Sequence, residues 1–479
     1  MATETTTTSA ASTKPLHVSD RLKRKREKSK AMKDGEWTQC MFKLKRKNRL
    51  CNVARVEGSL YCGNHIVDEE GVTSQKTKKH KQELCKRVPC TLDPSHTVYL
   101  FDLKKHLVIC NKLKEAEAMR SLPFYSENIN SGTHAAGSDH VAPPVDEALH
   151  VDDANVDEHS CPSSAKQASL FQTLAAMDFN SLAAKIKSAY DANVPSIPTQ
   201  KLDHAACTAL LKEKQAAGAN HSVLRHIQQQ ASILGHMEAK HLLRPSHVYC
   251  ELGAGRAMLS LALTQIYPSS PFVLIDRAGS RGKADQHIAT ENKCTRAKID
   301  IRHLNLAKME QVANQPLVCL SKHLCGVATD LSLRALANTL PPSEGSAGSV
   351  PPPITSHFVG LAIALCCHHA CRWEDYVHPQ YFLDMGFTVA EFKLMVSLSG
   401  WATCGMSTDG GAVESVLGLN RADRTQLGRQ CKRLLDMGRV HYLRERGVRA
   451  ELVHYCEQDE SLENCLLLAW QDPEADQRS

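Results

Sequence analysis

No apolar run in this 479-residue sequence approaches the ~20 residues needed to span a bilayer. The first ten residues are threonine-rich, carry one glutamate, and lack the basic start and apolar stretch of a secretory signal. Together these absences predict an intracellular protein, nuclear or cytoplasmic or both, with no membrane partner. In such a chain the 19 cysteines are expected as thiols or metal ligands, not as a disulfide framework. A third absence concerns a glycine. The turn at Gly253 and Gly255 has Met258 where a nicotinamide fingerprint needs a third glycine.

What is present begins with charge. Residues 1–114 hold 25 Lys/Arg against 12 Asp/Glu, while the whole chain carries only +6. A basic front on a mildly acidic body predicts a polyanionic partner, most simply nucleic acid. The run from Arg21 to Lys33 suits either nuclear import or phosphate contact.

Two sets of metal-ligand residues follow. Cys40, Cys51, Cys62 and His65 form C-x10-C-x10-C-x2-H. Cys90, His96, His106 and Cys110 form C-x5-H-x9-H-x3-C. Each set offers the four thiolate or imidazole donors that tetrahedral zinc requires. The first stretch has too few apolar residues to build a core without a metal. His106 and Cys110 lie four apart, on one helical face. With no position left open for water, both zinc ions are expected to be structural. The modules are expected over 36–69 and 84–114. Between them and the body, 115–166 reads as a flexible acidic linker, since 121–166 hold eight Asp/Glu and a single lysine.

The body, 167–472, alternates strand and helix, which predicts an α/β fold around a parallel sheet. Ile227, Ala231 and Leu234 mark a helix ending near Leu243. Strands are predicted from Val248, over Phe272–Ile275, over Lys298–Arg302, over Leu317–Leu320 and over Phe358–Ala364. A charged helix follows from Arg421 to Arg446, and an antiparallel edge pair, Ala450–Tyr455 with Asn464–Trp470, closes the chain. The stretch 340–355 reads as a Pro/Gly/Ser surface loop. Ligands of such sheets sit at the carboxyl ends of the strands. Glu251, Gly253 and Gly255 form an E-x-G-x-G turn at the first such end. Asp276 ends the second strand, where an acid can hold two ribose hydroxyls. Asn305, beyond the third, is placed to read adenine. A basic loop, 277–283, either shapes the cofactor mouth or is merely solvated. With no pyrophosphate cradle, the set suits S-adenosylmethionine better than a dinucleotide.

These motifs together resemble the eukaryotic tRNA 2'-O-ribose methyltransferases that modify nucleotide 4 of the acceptor stem. The resemblance rests on both finger spacings, on ELGAGRA (Glu251–Ala257), on SKHLCGVATDL (Ser321–Leu331) and on ALCCHH (Ala364–His369). The second finger is also similar to one in a minor-spliceosome protein that contacts pre-mRNA. Ala370 departs from the pattern, standing where a basic residue is expected. The resemblance implies a class I, Rossmann-like methyltransferase fold behind two zinc modules. It also implies S-adenosylmethionine and two structural zinc ions as cofactors, and the tRNA acceptor stem as partner. Catalysis then requires in-line alignment of oxygen, methyl carbon and sulfur, and a base for the hydroxyl proton. Lys322 is the first candidate base, and His323 the second. Cys366 to His369 invite a metal reading, but neighbours in an extended segment point opposite ways, so a pocket wall is expected. Two other readings remain open: a non-catalytic zinc-finger RNA-binding protein, and a protein methyltransferase. Base methylation is disfavoured because no N-P-P-Y-type tetrapeptide follows the fourth strand.

Overall fold

The computed structural model describes residues 38–44, 49–55, 57–62, 86–132, 174, 178–278, 287–288, 294–313, 315–338, 357–403 and 418–471. The basic run 21–33, His65, the loop 279–283, the insertion 340–355 and linker residues 133–166 fall outside them. The chain divides into two units: 1–89 with 97–104, and 90–96 with 105–479.

The first unit holds two small antiparallel pairs. Lys43–Leu44 (β1) pairs with Arg49–Leu50 (β2), and Arg87–Pro89 (β3) pairs with Thr97–Tyr99 (β4). The Tyr99 ring stacks on Phe101 at 5.5 Å and takes the Arg87 guanidinium over it at 5.0 Å.

The second unit is built on one seven-stranded sheet. Its strands are Val248–Leu252 (β5), Phe272–Asp276 (β6), Cys294–Lys298 (β7), Leu317–Cys325 (β8), Phe358–Cys366 (β9), Arg449–His454 (β10) and Cys465–Trp470 (β11). Their order is β10-β11-β9-β8-β5-β6-β7. Strands β5 to β9 are parallel, and β11 runs antiparallel to both β9 and β10. The closing pair is therefore antiparallel, with β10 at the edge, as expected. Strand order reverses between β5 and β8, and this switch point opens the crevice where α/β sheets bind ligands.

Period-two alternation explains why the sheet is covered on both faces. Val248, Cys250 and Leu252 join one core cluster, with Val273 and Ile275. Tyr249 joins the other, with Phe272 and Leu274. Helices Phe179–Asn193 (α3), Val327–Ala337 (α7), Pro379–Asp384 (α8), Val389–Ser399 (α9) and Arg421–Arg444 (α10) bury residues on the first side. Helices Ala205–Ala216 (α4), His221–Ala239 (α5) and Met258–Thr264 (α6) do so on the second. Ile227, Ala231 and Leu234 are all buried, as their helical spacing predicted. Asn220 and Asn420 start α5 and α10 by accepting a backbone N–H, and Thr388 with Glu391 forms a reciprocal capping box on α9. None of the described helices is long and apolar enough to cross a membrane.

Two expectations shift. The third strand lies earlier than Lys298–Arg302, at Cys294–Lys298, because the Asp300 carboxylate accepts the Arg302 N–H and caps a 3-10 turn over Ile301–His303. The stretch from residue 115, read as the start of a linker, is ordered through residue 132. It continues the helix Asn111–Arg120 (α2), which follows Leu103–Ile109 (α1), and then forms a strap on the body. Ser126 N–H donates to the His303 carbonyl at 2.8 Å, and Asn305 N–H donates to that of Phe124 at 2.9 Å. Asn130 is fully buried. Its amide nitrogen donates to the Ile301 and Leu304 carbonyls at 2.5 and 2.7 Å, and its oxygen accepts from Asn338 at 3.1 Å. The acidic composition of 121–166 hides this anchor, because one asparagine carries no periodic signal.

Replacing Asn130 with alanine takes the side-chain donor from the Leu304 carbonyl, while the Ile301 carbonyl keeps the Leu304 N–H. The Asn130→Ala chain should lose about 2 kcal/mol in denaturant unfolding. Hydrogen exchange over 121–132 should accelerate before that of the sheet. Unchanged protection in this segment would refute the anchoring role.

Candidate active site and metal centres

The turn after β5 is made by three left-handed residues: Gly253, Gly255 and the non-glycine Ala257, at φ 63°, 45° and 53°. A side chain at 253 is excluded twice. Its φ is unfavourable, and a Cβ there would sit 3.1 Å from the Leu324 side chain and 3.2 Å from the His323 carbonyl. Ala257 accepts αL backbone to begin α6 and is wholly buried, a strain typical of ligand-binding turns.

Two carboxylates hold this turn. Buried Glu251 accepts the Ser260 backbone N–H at 3.0 Å and its hydroxyl at 2.6 Å, tying β5 to α6. Burial pushes the Glu251 carboxyl up to about 7, against those two hydrogen bonds. Asp276 accepts the Gly255 N–H at 2.6 Å on Oδ2 and the Ala278 N–H at 2.8 Å on Oδ1. Each carboxylate oxygen can accept a second hydrogen bond, so a ribose diol can be held without breaking the turn. Arg296, on β7, donates to the Gly255 carbonyl at 3.1 Å.

Asn305 lies just past the 3-10 turn. Its Nδ2 is 3.5 Å from the Ser126 hydroxyl, and its Oδ1 is buried with no hydrogen-bond partner. A buried orphan acceptor is costly and matches the exocyclic amine of adenine. Gly253 and Gly255 follow β5, Asp276 ends β6 and Asn305 lies past the turn beyond β7, positions that could hold a nucleoside cofactor.

Across the switch point, Lys322 and His323 sit on β8. Lys322 Nζ lies 3.0 Å from His226 Nδ1 on α5. His226 carried no signal in the sequence, being one histidine on an amphipathic helix 96 residues away. His323 follows Lys322 within an irregularity of the β8–β9 register between Ser321 and Leu324, and it is exposed. Crowding of its ring, then the charges of Lys322 and His226, holds its imidazole below the ordinary value.

The segment after β9 divides its residues. His368 is completely buried, its Nε2 2.6 Å from Asp436 Oδ1, so it is not part of a pocket wall. Asp436 also meets Arg433 at 3.0 Å and Arg439 at 3.2 Å. Against the cost of burial, these cations hold the Asp436 carboxyl well below the usual range.

Cys40, Cys51 and Cys62 are buried, with sulfurs within 4.8 Å of one another. Cys90, His96, His106 and Cys110 also converge, with Cys90 and Cys110 sulfurs 3.9 Å apart and His106 Nε2 3.2 Å from Cys90. Asp93 has Oδ2 3.1 Å from His96 Nδ1. A carboxylate there orients the imidazole for metal binding, and a D-P-S-H turn is the signal that could have revealed it. Both clusters match the chemistry of zinc.

Glu251 supplies a pH test. Its folded value, about 7, lies above the ordinary 4.5, so the folded chain binds the extra proton. Its contribution to stability is therefore full below about 4.5 and lost as pH rises through about 7. Glutamine can still accept both Ser260 hydrogen bonds. The Glu251→Gln chain should match the parent in melting temperature at pH ~4 and exceed it at pH ~8. Equal losses at both would rule out the buried-charge account.

Comparison with known proteins follows this geometry. A family model described as Methyltransferase TRM13 matches residues 228–470. A CCCH zinc finger in TRM13 protein matches 38–66, and a U11-48K-like CHHC zinc finger matches 87–111. The mouse protein named tRNA:m(4)X modification enzyme TRM13 homolog is 30% identical, covering 90% of this chain and 94% of its own. Its Saccharomyces cerevisiae counterpart is 28% identical, covering 92% and 98%. With the α/β sheet, the glycine turn and both finger spacings in register with these matches, the chain belongs to the TRM13 family of S-adenosylmethionine-dependent methyltransferases.

Proposed function

We propose that this enzyme transfers a methyl group from S-adenosylmethionine to the ribose 2'-hydroxyl of nucleotide 4 in the tRNA acceptor stem. The carrying observation is the family match over residues 228–470, a stretch that includes the glycine turn, Asp276, Asn305 and Lys322. Relatives named as tRNA:m(4)X modification enzymes supply the substrate class. Bound S-adenosylmethionine supplies an electrophilic methyl group on a sulfonium.

The chain's own residues do the rest. Gly253 and Gly255 let the backbone approach the cofactor, Asp276 takes the ribose hydroxyls, and Asn305 Oδ1 takes the adenine amine. Glu251 acts on the cofactor through the turn, by holding α6 in place. Lys322 Nζ takes the 2'-hydroxyl proton, from a position set by its contact with His226. His226 Nδ1 accepts a hydrogen bond from Nζ and orients it. His323, the next residue on β8, is the second candidate. Two structural zinc ions are held by Cys40, Cys51 and Cys62 with His65, and by Cys90, His96, His106 and Cys110. The basic front then contacts tRNA phosphates.

Labelled S-adenosylmethionine and bulk tRNA provide the test. Label should map to a ribose 2'-oxygen at nucleotide 4. Label on a base or on protein would overturn the assignment.

Lys322→Ala should lower kcat by about 10²–10⁴-fold. Cofactor affinity, measured by calorimetry, should change little. Unchanged turnover would transfer the role to His323.

A further inference from the structure

Cys325, Cys366 and Cys367 lie outside both finger motifs, yet their sulfurs fall within 4.8 Å of one another. Cys325 and Cys366 are register partners at the carboxyl ends of parallel strands β8 and β9. Their sulfurs are 3.7 Å apart. Tetrahedral zinc with ~2.3 Å bonds to sulfur requires an edge of about 3.8 Å. The Cys90–Cys110 pair of the second finger shows nearly the same spacing, 3.9 Å.

The third thiol is brought in by an unusual backbone. Neighbours in an extended segment point opposite ways, which from sequence argued against a shared ion. Cys367 is not extended: it sits at φ 50°, ψ 42°, one of four non-glycine residues with positive φ among those described. That conformation carries its thiol round beside Cys366. It is strained, and strain of this kind persists where the surroundings impose it. Here they do. A Cβ on Gly326 would lie 2.7 Å from Ala370 Cβ and 2.9 Å from the Cys367 carbonyl, so the two loops interlock. His368 anchors the same loop in the buried Asp436 site. Ala370 thus has a packing reason to be small, where the sequence pattern led to expect a basic residue.

We propose that Cys325, Cys366 and Cys367 form a third metal site, a three-thiolate seat for a soft ion of the zinc class. It differs in kind from the two fingers. Three protein ligands leave one position open, and Cys325 is exposed, so an exogenous ligand can reach the ion. The site lies at the strand ends where this fold takes its substrates.

The test counts metal in the full chain purified with zinc, by inductively coupled plasma mass spectrometry. It does not depend on methyl transfer. The parent chain should carry one more ion than the Cys325→Ser/Cys366→Ser chain, with S-adenosylmethionine affinity retained as a check on folding. If the pair of substitutions unfolds the body, cobalt titration of Cys367→Ser replaces it. Thiolate-to-cobalt charge-transfer absorption should fall by one site's share. Equal metal content in parent and variant, or unchanged cobalt absorption, would overturn the site. So would a Cys325–Cys366 disulfide in the freshly isolated parent, seen as the loss of two hydrogens in intact mass.

Discussion

The body hangs on a fully buried arginine. Arg439, on α10, places its guanidinium 2.8 Å from Asp330 on α7 and 3.2 Å from Asp436. It also donates to the Cys371 sulfur at 3.1 Å. An ion of this size is tolerated in a core only when its charge and donors are all met. Here the partners come from two helices and the loop after β9, so that loop is held wherever α7 and α10 pack. Removing any one of these partners would leave an uncompensated buried charge. His368 completes the arrangement through Asp436, which fixes where β9 ends and how Cys366 and Cys367 leave it.

The same logic recurs at the other end of the crevice with neutral partners. Glu251 and Asp276 each spend oxygens on backbone or hydroxyl donors of the glycine turn, so the turn is shaped before any ligand arrives. Preorganisation of this kind lowers the cost of binding. Ala257, left-handed without being glycine, marks where the chain accepts strain to aim α6.

Much of this was legible in the residues, and the reasons differ from element to element. Strands β5, β6 and β9 announced themselves because parallel strands buried on both faces read as unbroken apolar runs. The finger ligands were legible because metal chemistry restricts residue type and spacing together. His65 lies outside the described residues, so only three donors of the first set are placed. The third strand was displaced because a side-chain cap at Asp300 leaves no periodic trace. His226, Asp93 and Asn130 were invisible as functional residues for a common reason. Each acts through one contact across a long or irregular stretch of chain, and pattern reading sees only repeats. In the Cys366–His369 stretch the expected wall fails for buried His368, and the extended geometry assumed there fails at left-handed Cys367.

The strap changes what a domain means in this chain. Residues 121–132 belong in sequence to the front half, yet Phe124 and Ser126 flank Asn305, the position that would read adenine. A cut placed at the obvious compositional boundary would therefore separate Asn305 from the residues that flank it. Evolution could not trade the finger half and the catalytic half as independent cassettes without carrying those twelve residues along with the body. Fusion, fission and alternative splicing are all constrained by one buried asparagine that no composition profile marks.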